Sequence, residues 1–208
     1  MAKQTRQRIL DSALTMFNAL GEPNVTTNHI ADELEISPGN LYYHFRNKDD
    51  IIEQLFARFE ERMDAALAAP QGRLPGLEDI WLQLHLVFEC IWDYRFLHRD
   101  LVEILSRNRR LRLRFARILR RANEQAHTVM RGLVQAGIMR ASADELAATA
   151  TNVLVIATFW LNYAAARGDK DEHAAIRDGI VQVMMLLAPF LRDAERVHLN
   201  TLTRAYLD

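Results

Sequence analysis

Apolar residues recur at intervals of three and four along almost the whole chain, and no stretch alternates apolar and polar for the length of a strand. That pattern predicts an all-α protein of nine or ten helices with no sheet. Ile9, Ala13, Phe17 and Leu20 line one face of a helix over 5–20, which stops at Gly21. The Gly21-Glu22-Pro23-Asn24 cluster turns the chain. A short helix follows over 27–34 with Thr26 as its N-cap, and 35–37 forms a brief turn. A third helix opens with Ser37 as N-cap and Pro38 in its first position, the order that helix starts favour. Asn47 caps a fourth, longer helix, and Asp49 and Asp50 suit its positive end.

The stretch from Pro70 to Gly76 is the clearest break. Beyond it the periodicity predicts an aromatic-rich helix over 77–93, a short one near 97–106 and a long one over 108–136 that ends at Gly137. Ser142 and Glu145 make a capping box that opens a helix reaching Arg167. Gly168-Asp169 breaks it, and a further helix covers 172–193. The tail, 195–207, carries Val197, Leu202 and Tyr206 at near-helical spacing. The run from Leu146 to Ala166 has no charge and is long enough to cross a bilayer. Its three threonines, two asparagines and many alanines weaken insertion, so it reads as a buried helix and no membrane is expected.

Residues 26–45 have the layout of a helix-turn-helix, in which the second helix enters a major groove and the first crosses the backbone. Ile30, Ala31, Leu34, Ile36, Leu41 and Phe45 supply the small core that fixes the angle between them. Gly39 and Asn40 leave the start of the third helix slim. Asn40 can bond adenine N6 and N7, and the Tyr42 and Tyr43 hydroxyls can reach phosphates or bases. His44 and Lys48 stand where phosphate contacts are expected.

The segment VTTNHIADELEISPGNLYYHFRNKDDI, residues 25–51, resembles the N-terminal domain of the TetR family. The residues that carry the resemblance are the threonine pair before Ile30-Ala31, then Ser37-x-Gly39-x-Leu41-Tyr42-x-His44-Phe45, then Asn47-Lys48. The likeness is confined to the N-terminal quarter; the rest agrees only in helix count and layout. The resemblance implies a helix-turn-helix DNA-binding domain over 1–48 and a larger helical ligand-binding and dimerisation domain over 49–208. It further implies that Thr26, Thr27, Tyr42, His44 and Lys48 contact phosphates of a double-stranded operator, while Asn28, Pro38, Gly39, Asn40 and Tyr43 lie at or near bases. Repression, relieved by a small-molecule effector, is also an implication of the resemblance.

Large apolar residues point in every direction from the 146–166 helix, so it must be covered on all sides. With the 172–193 helix, striped by Ile176, Ile180, Val183, Met184 and Leu187, it can form a four-helix interface in a homodimer. That is also how the resembled family dimerises, and two-fold symmetry matches a palindromic operator. Trp81, His85, Phe88, Glu89 and Trp92 crowd one helix, and Asn152, Ile156, Phe159, Trp160 and Tyr163 crowd another. Such aromatic clusters suit a pocket for an apolar or aromatic ligand, and equally suit ordinary core packing. His85 and Glu89, four apart, can bond each other. An alternative function is a DNA-bound protein of the same fold whose larger domain docks a partner protein.

Composition adds limits. The net charge of −1, and five basic against five acidic residues in 1–48, leave no general electrostatic pull on DNA. Affinity must come from placed side chains, and its salt dependence should be moderate. The eight arginines of 107–121 flank Leu111, Phe115, Ile118 and Ala122 at helical spacing. They read as the salt-bridged face of an amphipathic helix, with a supporting contact to the DNA domain or an anionic ligand as sharper readings. Cys90 is the single cysteine, which excludes an intrachain disulfide and suits a reducing compartment. The opening residues lack the apolar core of a secretory leader, and a cytoplasmic location is expected. No HExxH, GxSxG or Gly-rich phosphate loop occurs, so neither an enzyme, a metal nor a cofactor is expected.

Overall fold

The computed structural model describes residues 2–68, 72–169 and 171–204. Within them lie eleven α-helices and two 3-10 turns, and the sole β pairing is an isolated bridge between Met139 and Leu191. The helices are α1 (Ala2–Leu20), α2 (Thr27–Glu33), α3 (Pro38–His44), α4 (Lys48–Ala66), α5 (Leu77–Asp93), α6 (Arg95–Arg99), α7 (Leu101–Arg107), α8 (Arg109–Gln135), α9 (Ala143–Arg167), α10 (Glu172–Leu187) and α11 (Asp193–Arg204). They form two compact units, one of residues 1–62 with 93–113, the other of 63–92 with 114–208.

The expected all-helical class is found, with one helix more than the periodicity predicts. The helix expected near 97–106 is two, α6 and α7, separated at Asp100. The Asp100 N–H still donates to the Phe96 carbonyl (3.0 Å), but its carboxylate accepts the backbone N–H of Glu22 (3.0 Å). That tertiary bond fixes the residue at φ −103°, ψ 18° and breaks the helical run. The helix expected to reach 193 stops at Leu187, and a 3-10 turn spans Ala188–Phe190 around Pro189, which has no N–H to continue the ladder.

The first unit is built on α1. Ile9, Ala13 and Phe17 are buried as their spacing predicts, and Phe17 meets Phe96 with ring centroids 5.2 Å apart. Burying such a ring is worth roughly 1.5–3 kcal/mol. Leu20, placed on the same face by its spacing, is 55% exposed. The helix ends there, and Gly21, at φ 81°, turns the chain before Leu20 can pack. Polar bonds tie α6 to α1. Buried Asn18 donates to the Asp93 carbonyl (2.8 Å) and accepts from Phe96 N (3.1 Å), while Arg99 donates to the Asn18 carbonyl (3.0 Å).

The second unit has one core, to which α5 gives Leu84 and Phe88, α8 gives Met130 and Leu133, α9 gives Trp160, and α10 gives Ile180 and Met184. The capping box expected at Ser142 and Glu145 is present, and Gly168, at φ 87°, closes α9 in the left-handed region. The inner face of α9 packs into this core. On its outer face Val155, Phe159 and Tyr163, spaced by four, are exposed in the single chain, the face expected to meet a partner subunit. In α11 the buried positions are Leu199 and Thr203, while Val197 is exposed; Tyr206 lies outside the described residues, as do Pro70 and Gln71 of the predicted break.

Candidate nucleic-acid interface

Local chemistry builds the α2–α3 pair. Thr26 caps α2: its side chain accepts from His29 N (3.2 Å), and its own N–H reaches His29 Nδ1 (3.4 Å), so a histidine fills the place a glutamate usually takes in a capping box. The turn passes through Glu35 at φ 53°, a left-handed conformation for a non-glycine residue. It is held there by Ile36 N donating to the Ala31 carbonyl (3.0 Å). Ser37 then accepts from Asn40 N (3.2 Å), and Pro38 starts α3, as expected. Ile30, Ala31, Leu41 and Phe45 are buried and lock the two helices onto α1. Phe45 is core, with the Arg6 guanidinium 4.9 Å above its ring.

With Leu41 anchored inward, the rest of α3 turns out. Pro38, Gly39, Asn40, Tyr42 and Tyr43 are exposed, Tyr43 at 79%. A Cβ added at Gly39 would meet only Ser37 Oγ, at 3.9 Å. Nothing inside the protein therefore requires glycine there. The Tyr42 hydroxyl shares a hydrogen bond with Thr27 Oγ1 (3.0 Å), which fixes both at one edge of the α3 face. Tyr43 packs edge-on against His44, at 5.1 Å. Thr26 and Asn28 are exposed at the start of α2.

Lys48 is placed differently. Its Nζ donates to the Glu22 carbonyl and the Val25 carbonyl (3.0 Å each) and pairs with Glu22 Oε1 (2.7 Å). Two of the three N–H bonds of the ammonium are thus taken by carbonyls, and its charge is paired within the protein. Glu22 is fully buried and also meets Arg107 Nη2 at 2.7 Å. Burial pushes its carboxyl up, but hydrogen bonds and charge from Arg107 and Lys48 outweigh that and hold it below the ordinary carboxylate range.

This triad escapes sequence reading, since positions 22, 48 and 107 share no spacing or motif. Arg107 also reaches Asp49 (3.6 Å) and Glu103 (3.4 Å), Arg110 pairs with Glu53 (3.0 Å), and Arg121 bonds Asp64 (2.8 Å). The salt-bridged face expected of the arginine run is thus present at these three, and Arg107 in addition buttresses the α2–α3 region.

The aromatic residues proposed to line a pocket fall into separate places. Phe88 and Trp160 are brought together in the core over Gly179, and Trp160 Nε1 donates to the Ala175 carbonyl. Trp81 is half-buried and stacks on His85 (5.9 Å, 8° between planes), whose Nε2 is 4.0 Å from Glu89 Oε1. Trp92 and Ile156 are half-buried. Asn152, Phe159 and Tyr163 stand on the outer face of α9, with Arg167 5.6 Å above the Tyr163 ring. Two grooves in this unit hold about 390 and 320 Å³, the first around Leu74, Pro75, Val129 and Gly132, the second around Leu67, Arg121 and Gln125. None of the proposed pocket residues lines either. Among the described residues no three His, Cys, Asp or Glu side chains are grouped to hold a metal.

Comparison with known proteins assigns this architecture. Residues 9–55 match the family described as bacterial regulatory proteins, tetR family, and residues 58–199 match the TetR family described as bacterial transcriptional repressor. The chain belongs to the TetR family of DNA-binding transcriptional regulators, which is not an enzyme family. It is similar to a TetR-family transcriptional regulator of Marinobacter aquaeolei, at 39% identity over 97% of this chain and 98% of that one, with a TM-score of 0.89. The transcriptional regulator TtgW of Pseudomonas putida is 41% identical over 56 residues, 27% of this chain, and the match spans 42% of that relative's length. SmeT of Stenotrophomonas maltophilia, solved in complex with triclosan, is 23% identical over 92% of this chain and 94% of that one, with a TM-score of 0.61; that likeness shows the fold alone.

Proposed function

We propose that this regulator is a cytoplasmic repressor that binds a palindromic operator as a homodimer and is released by a small apolar or aromatic ligand. Residues 1–48 serve as the DNA-binding domain and 49–208 as the ligand-binding and dimerisation domain. The observation that carries the reading is the bare, outward face of α3, with a glycine at 39 that the fold itself does not require. Pro38, Gly39, Asn40 and Tyr43 approach base edges, with Asn28 beside them. Thr26, Thr27, Tyr42, His44 and Lys48 hold phosphates. The exposed stripe of Val155, Phe159 and Tyr163 on α9, with Met185 exposed on α10, supports pairing of α9 and α10 with those of a second chain. Two recognition helices roughly 34–36 Å apart then meet successive major grooves.

The ligand binds near the half-buried Trp81 and His85 of α5, with exposed Glu89 beside them, and near the aromatics of α9. It favours a state in which the two α3 helices no longer match the operator. The triclosan bound by SmeT is a ligand of the expected kind. The reading is tested by selecting genomic fragments on the purified chain and footprinting the enriched site. A protected palindrome, weakened about tenfold or more by Tyr43→Ala, is expected. No specific enrichment at low salt would remove the repressor reading.

A further inference from the structure

We propose that Arg107 is a positioning residue for DNA binding: it keeps the buried Glu22 carboxylate neutralised, so that Lys48 can leave that carboxylate and donate to a phosphate. The proposal rests on the reading that Lys48 meets DNA. Without DNA, Lys48 donates to the Glu22 and Val25 carbonyls and its charge is paired with the buried Glu22 carboxylate at 2.7 Å. A phosphate that draws Lys48 outward must compete with that carboxylate for its charge.

The carboxylate is the one partner with a second cation in reach. Arg107 Nη2 lies 2.7 Å from the same Glu22 Oε1. Asp49 and Glu103, at 3.6 and 3.4 Å, hold the guanidinium from other sides. Two cations share one buried carboxylate, so either can depart and leave Glu22 with a cationic partner. Without Arg107, departure of Lys48 strands a buried charge, which is strongly unfavourable. Lys48 is the cation placed to go: it begins α4, just after α3, whereas Arg107 is also held by Asp49 and Glu103. Arg107 thus acts on DNA through Lys48 without touching it.

The probe is a duplex carrying the footprinted site, and the readout is the slope of log affinity against log salt between about 50 and 200 mM, where each phosphate contact contributes about 0.9. Lys48→Met is expected to lower the slope by one contact. Arg107→Met should lower it equally, adding Lys48→Met to that variant should change nothing more, and Arg107→Lys should keep the slope. The decisive variant is the double substitution Glu22→Gln with Arg107→Met. With no carboxylate to hold Lys48, the slope should return, whereas a merely structural role for the triad predicts further loss. Melting curves establish that each variant is folded. A wild-type slope for Arg107→Met, or a double variant that stays low, overturns the proposal while leaving the phosphate contact in place. An unchanged slope for Lys48→Met removes the contact itself, and the proposal with it.

Discussion

Gly179 sits in the middle of α10 where Phe88 and Trp160 converge, and its replacement by alanine sets two effects of opposite sign against each other. In a free helix the change would stabilise by about 1 kcal/mol, because glycine loses more backbone freedom on folding. Here the new methyl would lie 2.6 Å from Phe88 Cε1 and 2.7 Å from Trp160 Cδ1. Carbon atoms in contact sit about 3.5–4.0 Å apart, so the overlap is roughly 1 Å against two rings. Neither ring is free to yield. Phe88 is buried on all sides, and Trp160 is tied to the Ala175 carbonyl through Nε1. Overpacking of this kind costs about 1–3 kcal/mol, and straining the indole hydrogen bond adds about 1 kcal/mol. The costs exceed the helix gain, leaving Gly179→Ala destabilised by about 1–3 kcal/mol. For a chain of this size that lowers Tm by roughly 3–10 °C, read by calorimetry or circular dichroism. An unchanged or raised Tm would refute the reasoning. It would mean that the Phe88–Trp160 contact can open at little cost, and would mark that spot as room for a ligand.

Three further outcomes are expected. Asn18→Ala removes the side chain that satisfies the Asp93 carbonyl and the Phe96 N–H, and should cost about 2–3 kcal/mol in denaturant unfolding; a loss below about 0.5 kcal/mol would show that water replaces it. Phe159→Asp puts a charge in the centre of the exposed α9 stripe, and sedimentation equilibrium should show monomers where the parent chain dimerises; a dimer of parental affinity would place the interface elsewhere. Glu22 has its folded pKa held below the unfolded value, so the stability it confers is complete above the ordinary carboxyl range and is lost as pH falls through the folded pKa. Glu22→Gln should therefore lose stability less steeply than the parent below about pH 4, and identical acid profiles would show that Glu22 gains nothing from its two cations.

Much of this protein is legible from its sequence because the relevant physics is local. A helix start is set within four residues, so Thr26, Ser37, Asn47 and Ser142 could be recognised as caps, and each accepts a backbone N–H three residues on. The inward direction of Leu41 follows from its spacing, and once it is anchored the outward turn of Gly39, Asn40 and Tyr43 follows as well. His29 as the second half of the α2 cap was within reach of the same reasoning, since its place three residues after Thr26 is the signal.

What needed the tertiary structure is whatever joins positions without a shared period. A helix that is apolar all round carries no phase, so only packing could decide that Trp160 faces Phe88 while Phe159 and Tyr163 face out. The break at Asp100 comes from a bond to Glu22, 78 residues away. Lys48 looked like a surface cation because nothing near it in sequence announces a buried carboxylate. Sequence by itself determined most of the helices, their caps and the outward face of α3, since periodicity and capping act within a turn or two. The meeting of Glu22, Lys48 and Arg107 was decided only by folding, because it depends on how three distant segments pack and on the requirement that a buried charge find partners.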